Sequence, residues 1–284
     1  MTDAKETCSP HRRVLISAEN LKIGGAVQVA ASFLEELAKP TAAGTLIDRF
    51  SETGLDVGAS TAVLDNLPEA ARCKIPLIEK TQRRLPKFVH RRRERYSVTF
   101  RIFGPIYFGP RAQRSIMGFA DITSLHPEVA GPLLSGKARL KFAIRRRISK
   151  WQFRRVNHIV VETPSVAHAL AIKWRIDPTL ISVVPNTLNT AFESSSNKAT
   201  PTEGPGGRSE ITIGYPTRPY PHKNLYRLAQ AAAILHEKYA ILPTLLLTVE
   251  PDEIRELPQN LRQLIMPIGT IRTSELPDYY RRCD

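Results

Sequence analysis

The residues best suited to chemistry lie in one short segment, Gly214-Tyr215-Pro216-Thr217-Arg218-Pro219-Tyr220-Pro221-His222-Lys223-Asn224. Residues 211–215 read as a buried strand. Residues 224–239 read as a helix with Leu225, Leu228, Ala229, Ala232 and Leu235 on one face. The segment therefore joins a strand end to a helix start, the crevice where doubly wound sheets bind ligands. Arg218 and Lys223 flank a helix N-terminus whose free N–H groups and dipole already favour an anion. Two fixed cations there would bind a diphosphate and stabilise it as it departs. The alternative is a basic loop whose prolines shape a turn.

Gly24-Gly25 repeats this logic near the start of the chain. Residues 14–17 are a short apolar strand, and residues 26–39 carry Val27, Ala30, Leu34, Leu37 and Ala38 at helical spacing. Two glycines before a helix let the backbone approach a phosphate closely. The spaced glycines of the dinucleotide fingerprint are absent, and a tight turn accounts for the pair equally well.

These loops need sheets to hold them. Further buried-strand patterns occupy residues 61–64, 98–103, 159–161, 181–184, 245–249 and 265–268. Helical patterns occupy 137–153, 165–174 and 274–282. Alternating short strands and amphipathic helices predict an α/β protein with mainly parallel sheets. The run SSSNKATPTEGPGG within residues 193–209 is small, polar and rich in Gly and Pro, as a linker is. It predicts a first domain over 1–192 and a second over 210–284, the latter about half an ordinary α/β domain.

Composition narrows the classes. No run of about 18 apolar residues is present, and the polar first residues lack a secretory signal, so the expected location is cytoplasmic. Cys8, Cys73 and Cys283 are scattered and odd in number, matching neither a disulfide framework nor a zinc site. The 41 Lys and Arg against 27 Asp and Glu give a net charge of +14, which attracts polyanions. A nucleic-acid-binding protein would explain that charge. However, no zinc-finger, helix-turn-helix or aromatic-rich RNA-binding motif accompanies it, and aromatics total only 7%. Residues 137–155 hold nine Lys or Arg and no acid, with Leu140, Ile144, Ile148 and Trp151 on one helical face. Such a helix either packs on the first domain with a solvated basic face or lies on an anionic membrane surface. Arg91-Arg92-Arg93 with Arg95 shows no apolar periodicity and reads as an exposed loop.

Several segments, in order, resemble the family-4 glycosyltransferases. They are NLKIGGAVQVAASFLEEL, FGPIYFGP, GFADITSLHP, HIVVETPSVAHAL, VVPNTLNTAF, IGYPTRPYPHKNLYRLAQA and IGTIRTSELPDYYRRCD. The resemblance implies the GT-B fold, two Rossmann-like doubly wound domains, with the second incomplete in this chain. It implies retaining transfer of a sugar from a UDP- or GDP-linked donor to a glycan or lipid-linked acceptor, without a metal. Arg218 and Lys223 would grip the donor diphosphate, with Gly24 and Gly25 closing on the phosphates from the first domain. His126 would contact donor sugar or acceptor, unless it is a satisfied structural histidine. Glu162 and Thr163 would support the cleft, Thr163 alternatively capping a helix, and Asn186 would shape a strand-end turn. Two departures stand out. Thr187 replaces the family's glycine, and the family's glutamate pair, expected shortly after LPDYYRRCD, is not in this sequence. The expectation is a truncated chain that binds donor poorly, with a noncatalytic relic as the alternative.

Overall fold

The computed structural model describes residues 13–78, 95–105, 111–187, 192, 210–220 and 223–284. Contacts divide the chain into two units, Met1–Thr187 and Leu188–Asp284. The expected linker, Arg91-Arg92-Arg93, Cys8 and the Pro221-His222 pair lie outside the described residues.

The first unit is built on strands β1 (Val14–Ala18), β2 (Leu55–Ala59), β3 (Arg95–Arg101), β4 (Arg111–Phe119), β5 (His158–Val161) and β6 (Ile181–Val183). They form one sheet in the order β2-β1-β3-β4-β5-β6, and each ladder is parallel. The chain leaves β1 for β2 on one side, then crosses to β3 on the other. The strand ends of β1 and β3 therefore mark the switch point where a crevice opens.

Helix α1 (Gly25–Ala38) forms where the sequence pattern places it. Val27, Ala30, Ala31, Leu34, Leu37 and Ala38 are buried along one stripe, against a cluster that includes Ile16, Leu55 and Val57. A second cluster joins Met117, Phe119, Phe153, Ile159, Leu170 and Trp174. Phe119 meets Phe153 and Trp174 edge-on, with ring centroids 5.0 and 5.2 Å apart.

Three differences from the sequence pattern stand out. Residues 61–64 are not a strand but part of helix α2 (Thr61–Asp65), nucleated by Ser60, whose hydroxyl accepts from the Val63 amide at 3.2 Å. The strand of that region is β2, immediately before it. Its polar Asp56 is tolerated because Arg13 pairs with it at 2.5 Å and the Tyr96 hydroxyl donates to it at 2.9 Å. Second, β4 occupies a stretch whose arginines and glutamine hide the strand pattern. Third, α3 (Gly136–Phe153) does not pack through its apolar stripe. It buries Ser149 and Phe153, while Leu140, Ile144, Ile148 and Trp151 face outward. The other elements shift by a few residues at their ends, including α4 (Pro164–Trp174).

The second unit holds β7 (Glu210–Tyr215), β8 (Leu242–Leu247) and β9 (Ile265–Pro267), in the order β7-β8-β9 and again parallel. Helix α5 (Leu225–Tyr239) buries Ala229 and Ala232 against Leu245 and Leu247. The last helix, α6 (Leu276–Arg281), is fixed by Tyr279, whose buried hydroxyl donates to the Leu246 carbonyl at 2.6 Å. Burial first, then the neighbouring Cys283, pushes that phenol up to about 12. Beyond α6, the Asp284 amide donates to the Thr212 carbonyl at 3.0 Å, and the Asp284 carboxylate accepts from the Thr212 amide at 2.9 Å.

One glycine is demanded by a close approach. A Cβ at Gly118 in β4 would collide with the Ile102 carbonyl, and Gly118 accepts from the Gly104 amide at 2.9 Å. Gly118→Ala is expected to cost about 1–3 kcal/mol or more through overpacking. Gly25→Ala, whose Cβ meets nothing within 4 Å, is expected to leave the melting temperature unchanged or slightly raised. Thermal melts of both variants check the pair.

Candidate functional site

The ordering of the β7–α5 loop begins with two buried threonines. The Thr217 amide donates to Thr248 Oγ1 at 2.8 Å, and the Thr248 hydroxyl donates back to the Thr217 carbonyl at 3.0 Å. This reciprocal pair staples the end of β7 to the end of β8. From there the chain tightens. The Tyr220 amide donates to the Arg218 carbonyl at 2.7 Å, and the Lys223 amide to the Tyr220 carbonyl at 2.8 Å. Asn224 then takes a left-handed conformation, φ 52°, and opens α5 without a side-chain cap. The first turn of α5 thus has no acceptor from Asn224 and no acidic residue.

Arg218 is half-buried and Lys223 exposed. Among the described residues neither forms an ion pair, so both charges remain unneutralised beside the helix N-terminus. The arrangement suits a compact, multiply charged anion. Sequence reasoning missed a third group at this edge. Glu250, just past β8, accepts from the Thr270 amide at 3.1 Å, and its own amide donates to Glu253 at 2.8 Å. Gly269, with φ +72°, passes so close that a Cβ would stand 3.1 Å from the Glu250 carboxylate. A carboxylate fixed at a strand end accepts from hydroxyls. Its position directly after the apolar run of β8 was the available signal.

In the first unit, Gly24 occupies φ +75° before α1, a conformation that favours glycine. A Cβ on Gly24 or Gly25 would meet nothing within 4 Å, and the first turn of α1 carries no acid. The loop is tied to the switch point by Asn20, whose amide donates to the Phe103 carbonyl at 2.9 Å. Glu162 and Asn186 meet at the ends of β5 and β6, the Asn186 amide donating to Glu162 Oε1 at 3.0 Å. They share the sheet edge with Gly24-Gly25, three strand spacings or roughly 14 Å between β1 and β5. Thr163 caps α4, accepting from the Val166 amide at 3.4 Å.

His126 has a different set of partners. It ends the short turn Ile122–Leu125, and its Nδ1 lies 3.0 Å from Glu128 and 2.9 Å from Lys173 Nζ, in the last turn of α4. Lys173 also donates to Glu128 at 2.9 Å. The carboxyl of Glu128 is held down at about 2, first by its own backbone amide, then by Lys173 and His126.

No protein-family model matches the sequence, and no curated protein matches it. Solved structures do resemble the fold. The Anabaena protein HepE, solved with UDP and glucose and also with UDP-glucose, matches with a TM-score of 0.52 at 16% identity, over 96% of this chain and 73% of HepE. A glycosyltransferase from Rickettsia africae matches with a TM-score of 0.52 at 13% identity, over 95% of this chain and 70% of its own. At these identities the likeness shows the fold. The chain is an α/β protein of the GT-B-like, Rossmann type.

The Glu128 cluster makes a pH prediction. A depressed carboxyl favours the folded form above its ordinary value of 4.5 and loses that preference as pH falls through about 2. The Glu128 carboxyl carbon is expected to titrate near 2 by NMR. In Lys173→Ala it should move up but stay below 4.5, since the backbone amide remains.

Proposed function

We propose that this chain is a retaining glycosyltransferase of the family-4 kind, moving a sugar from a UDP- or GDP-linked donor to a glycan or lipid-linked acceptor. The observation that carries this reading is the pair of unneutralised cations, Arg218 and Lys223, at the uncapped N-terminus of α5. The sequence resemblance around these two residues, and the fold likeness to a protein solved with UDP-glucose and to a glycosyltransferase, support it.

In this reading the donor diphosphate lies against Arg218 and Lys223. As the sugar–phosphate bond breaks, negative charge builds on the leaving oxygen. Fixed cations already in place stabilise it without reorganisation, so the protein's own charges serve and no metal ion is required. Taken by itself, the first unit offers the Gly24-Gly25 backbone, open and unshielded, as a surface whose N–H groups can donate to phosphate oxygens. Glu162 and Asn186 hold each other in fixed orientation as supporting groups. His126 has Nδ1 engaged by Lys173 and Glu128, which leaves Nε2 as the atom to meet a sugar or acceptor hydroxyl. Retention at the anomeric carbon is part of the proposal.

Calorimetric titration with UDP and with GDP tests it, beside the double variant Arg218→Ala, Lys223→Ala. Each charge-assisted contact is worth about 1.5–3 kcal/mol, so the double variant is expected to bind at least ~100-fold more weakly with an unchanged melting temperature. A wild-type chain that binds neither nucleotide, or a double variant that binds equally well, contradicts the proposal.

A further inference from the structure

Helix α3 is 18 residues long, yet only its C-terminal part is built into the first unit. Phe153 is 1% exposed and Ser149 is buried. Toward the N-terminus, nearly every side chain from Lys137 to Arg145 is open to solvent. The ties to the body are polar: Arg146 Nε donates to the Ser124 carbonyl at 2.7 Å, and Lys150 to the Lys173 carbonyl at 3.2 Å. Leu140, Ile144, Ile148 and Trp151 are 64, 52, 37 and 54% exposed. At spacings of four, four and three residues they form one continuous ridge, about three turns long. Single exposed apolar residues are ordinary on a protein surface, but an aligned row of four is not.

The charges around the ridge are as one-sided as the ridge is apolar. Lys137, Lys141 and Arg145 line its one flank, together with Leu140, Ile144 and Ile148, in a shallow recess of about 370 Å³. Arg147, Arg154 and Arg155 lie on the other flank, and the Arg155 guanidinium stacks over the Trp151 ring at 4.1 Å. No acidic residue interrupts residues 137–155. A partner for this face must offer hydrocarbon to the ridge and anions to both flanks. An anionic bilayer supplies both in that geometry, with headgroup phosphates beside an acyl boundary. A nucleic acid supplies the anions but leaves Leu140 and Ile144 in water.

We propose that α3 is a peripheral membrane anchor that docks the first unit on an anionic lipid surface. Leu140, Ile144, Ile148 and Trp151 enter the acyl boundary while Lys137, Lys141 and Arg147, exposed beside them, reach outward to headgroups. No described helix is long and apolar enough to cross a bilayer, and the docking needs none. The inference stands independently of the transferase reading.

The chain's two tryptophans make the test direct: Trp174 is 0% exposed and shielded from lipid, so a change in emission on vesicle binding comes from Trp151. The full chain is mixed with vesicles of phosphatidylcholine containing about 30% phosphatidylglycerol, and with pure phosphatidylcholine vesicles. Expected are sedimentation with the anionic vesicles only, a blue shift of Trp151 emission, and quenching by acyl-brominated lipid. Leu140→Ser with Ile144→Ser is expected to weaken binding at least ~10-fold, and Lys137→Ser with Lys141→Ser by a similar factor. All four side chains are exposed, so melting temperatures should match the wild type. The proposal is overturned by absent binding, by binding without acyl-chain quenching, or by a serine variant that binds like the wild type. A short RNA or DNA duplex that displaces the protein from vesicles would overturn it in favour of nucleic acid.

Discussion

A parallel strand pair cannot be closed by a hairpin; the chain must cross back, usually as a helix, before the next strand begins. Each crossover starts where a strand ends, so strand C-termini and helix N-termini collect on one edge of a sheet. Both sheets here are parallel throughout their ladders. Gly24-Gly25 and the Arg218-to-Lys223 loop are therefore equivalent positions, each leaving the first strand of its sheet for the first long helix. What differs is the chemistry laid on that common frame. The first unit offers bare backbone at a left-handed glycine. The second adds two cations and, one strand over, the carboxylate of Glu250.

Much of this frame was legible because it is local. The stripe of α1 and the apolar run of β8 announce themselves within a few residues. Where the sequence misled, the deciding interaction came from far along the chain. Asp56 interrupts β2 as a pattern, but Arg13 and Tyr96, 43 and 40 residues away, satisfy it. Residues 61–64 are too short an apolar run for periodicity to separate strand from helix, and the Ser60 cap decides. The Thr217–Thr248 staple spans 31 residues and the His126–Lys173 contact 47, distances at which residue spacing carries no signal. The candidate cations were legible for the opposite reason: their loop is short, and its strand and helix are its immediate neighbours.

The net charge of +14 has no single role. Some of it is neutralised by ion pairs on the surface of the first unit, as in Arg13–Asp56 and Lys173–Glu128. Two cations stay unpaired at the start of α5, and a denser set surrounds the exposed ridge of α3. In the two proposals these groups answer to different partners, a small polyanion and an extended anionic surface. Salt separates them experimentally, since a multi-charge surface contact falls off more steeply with ionic strength than a two-cation site.

The central claim is that a diphosphate binds where α5 begins. Backbone amide spectra recorded during titration with UDP, and separately with UMP, test it most directly. The account predicts that UDP moves the amides of Leu225, Tyr226 and Arg218 more than any others, and that UMP, lacking the second phosphate, moves them far less. Shifts confined to other residues, or equal responses to the two nucleotides, would contradict it.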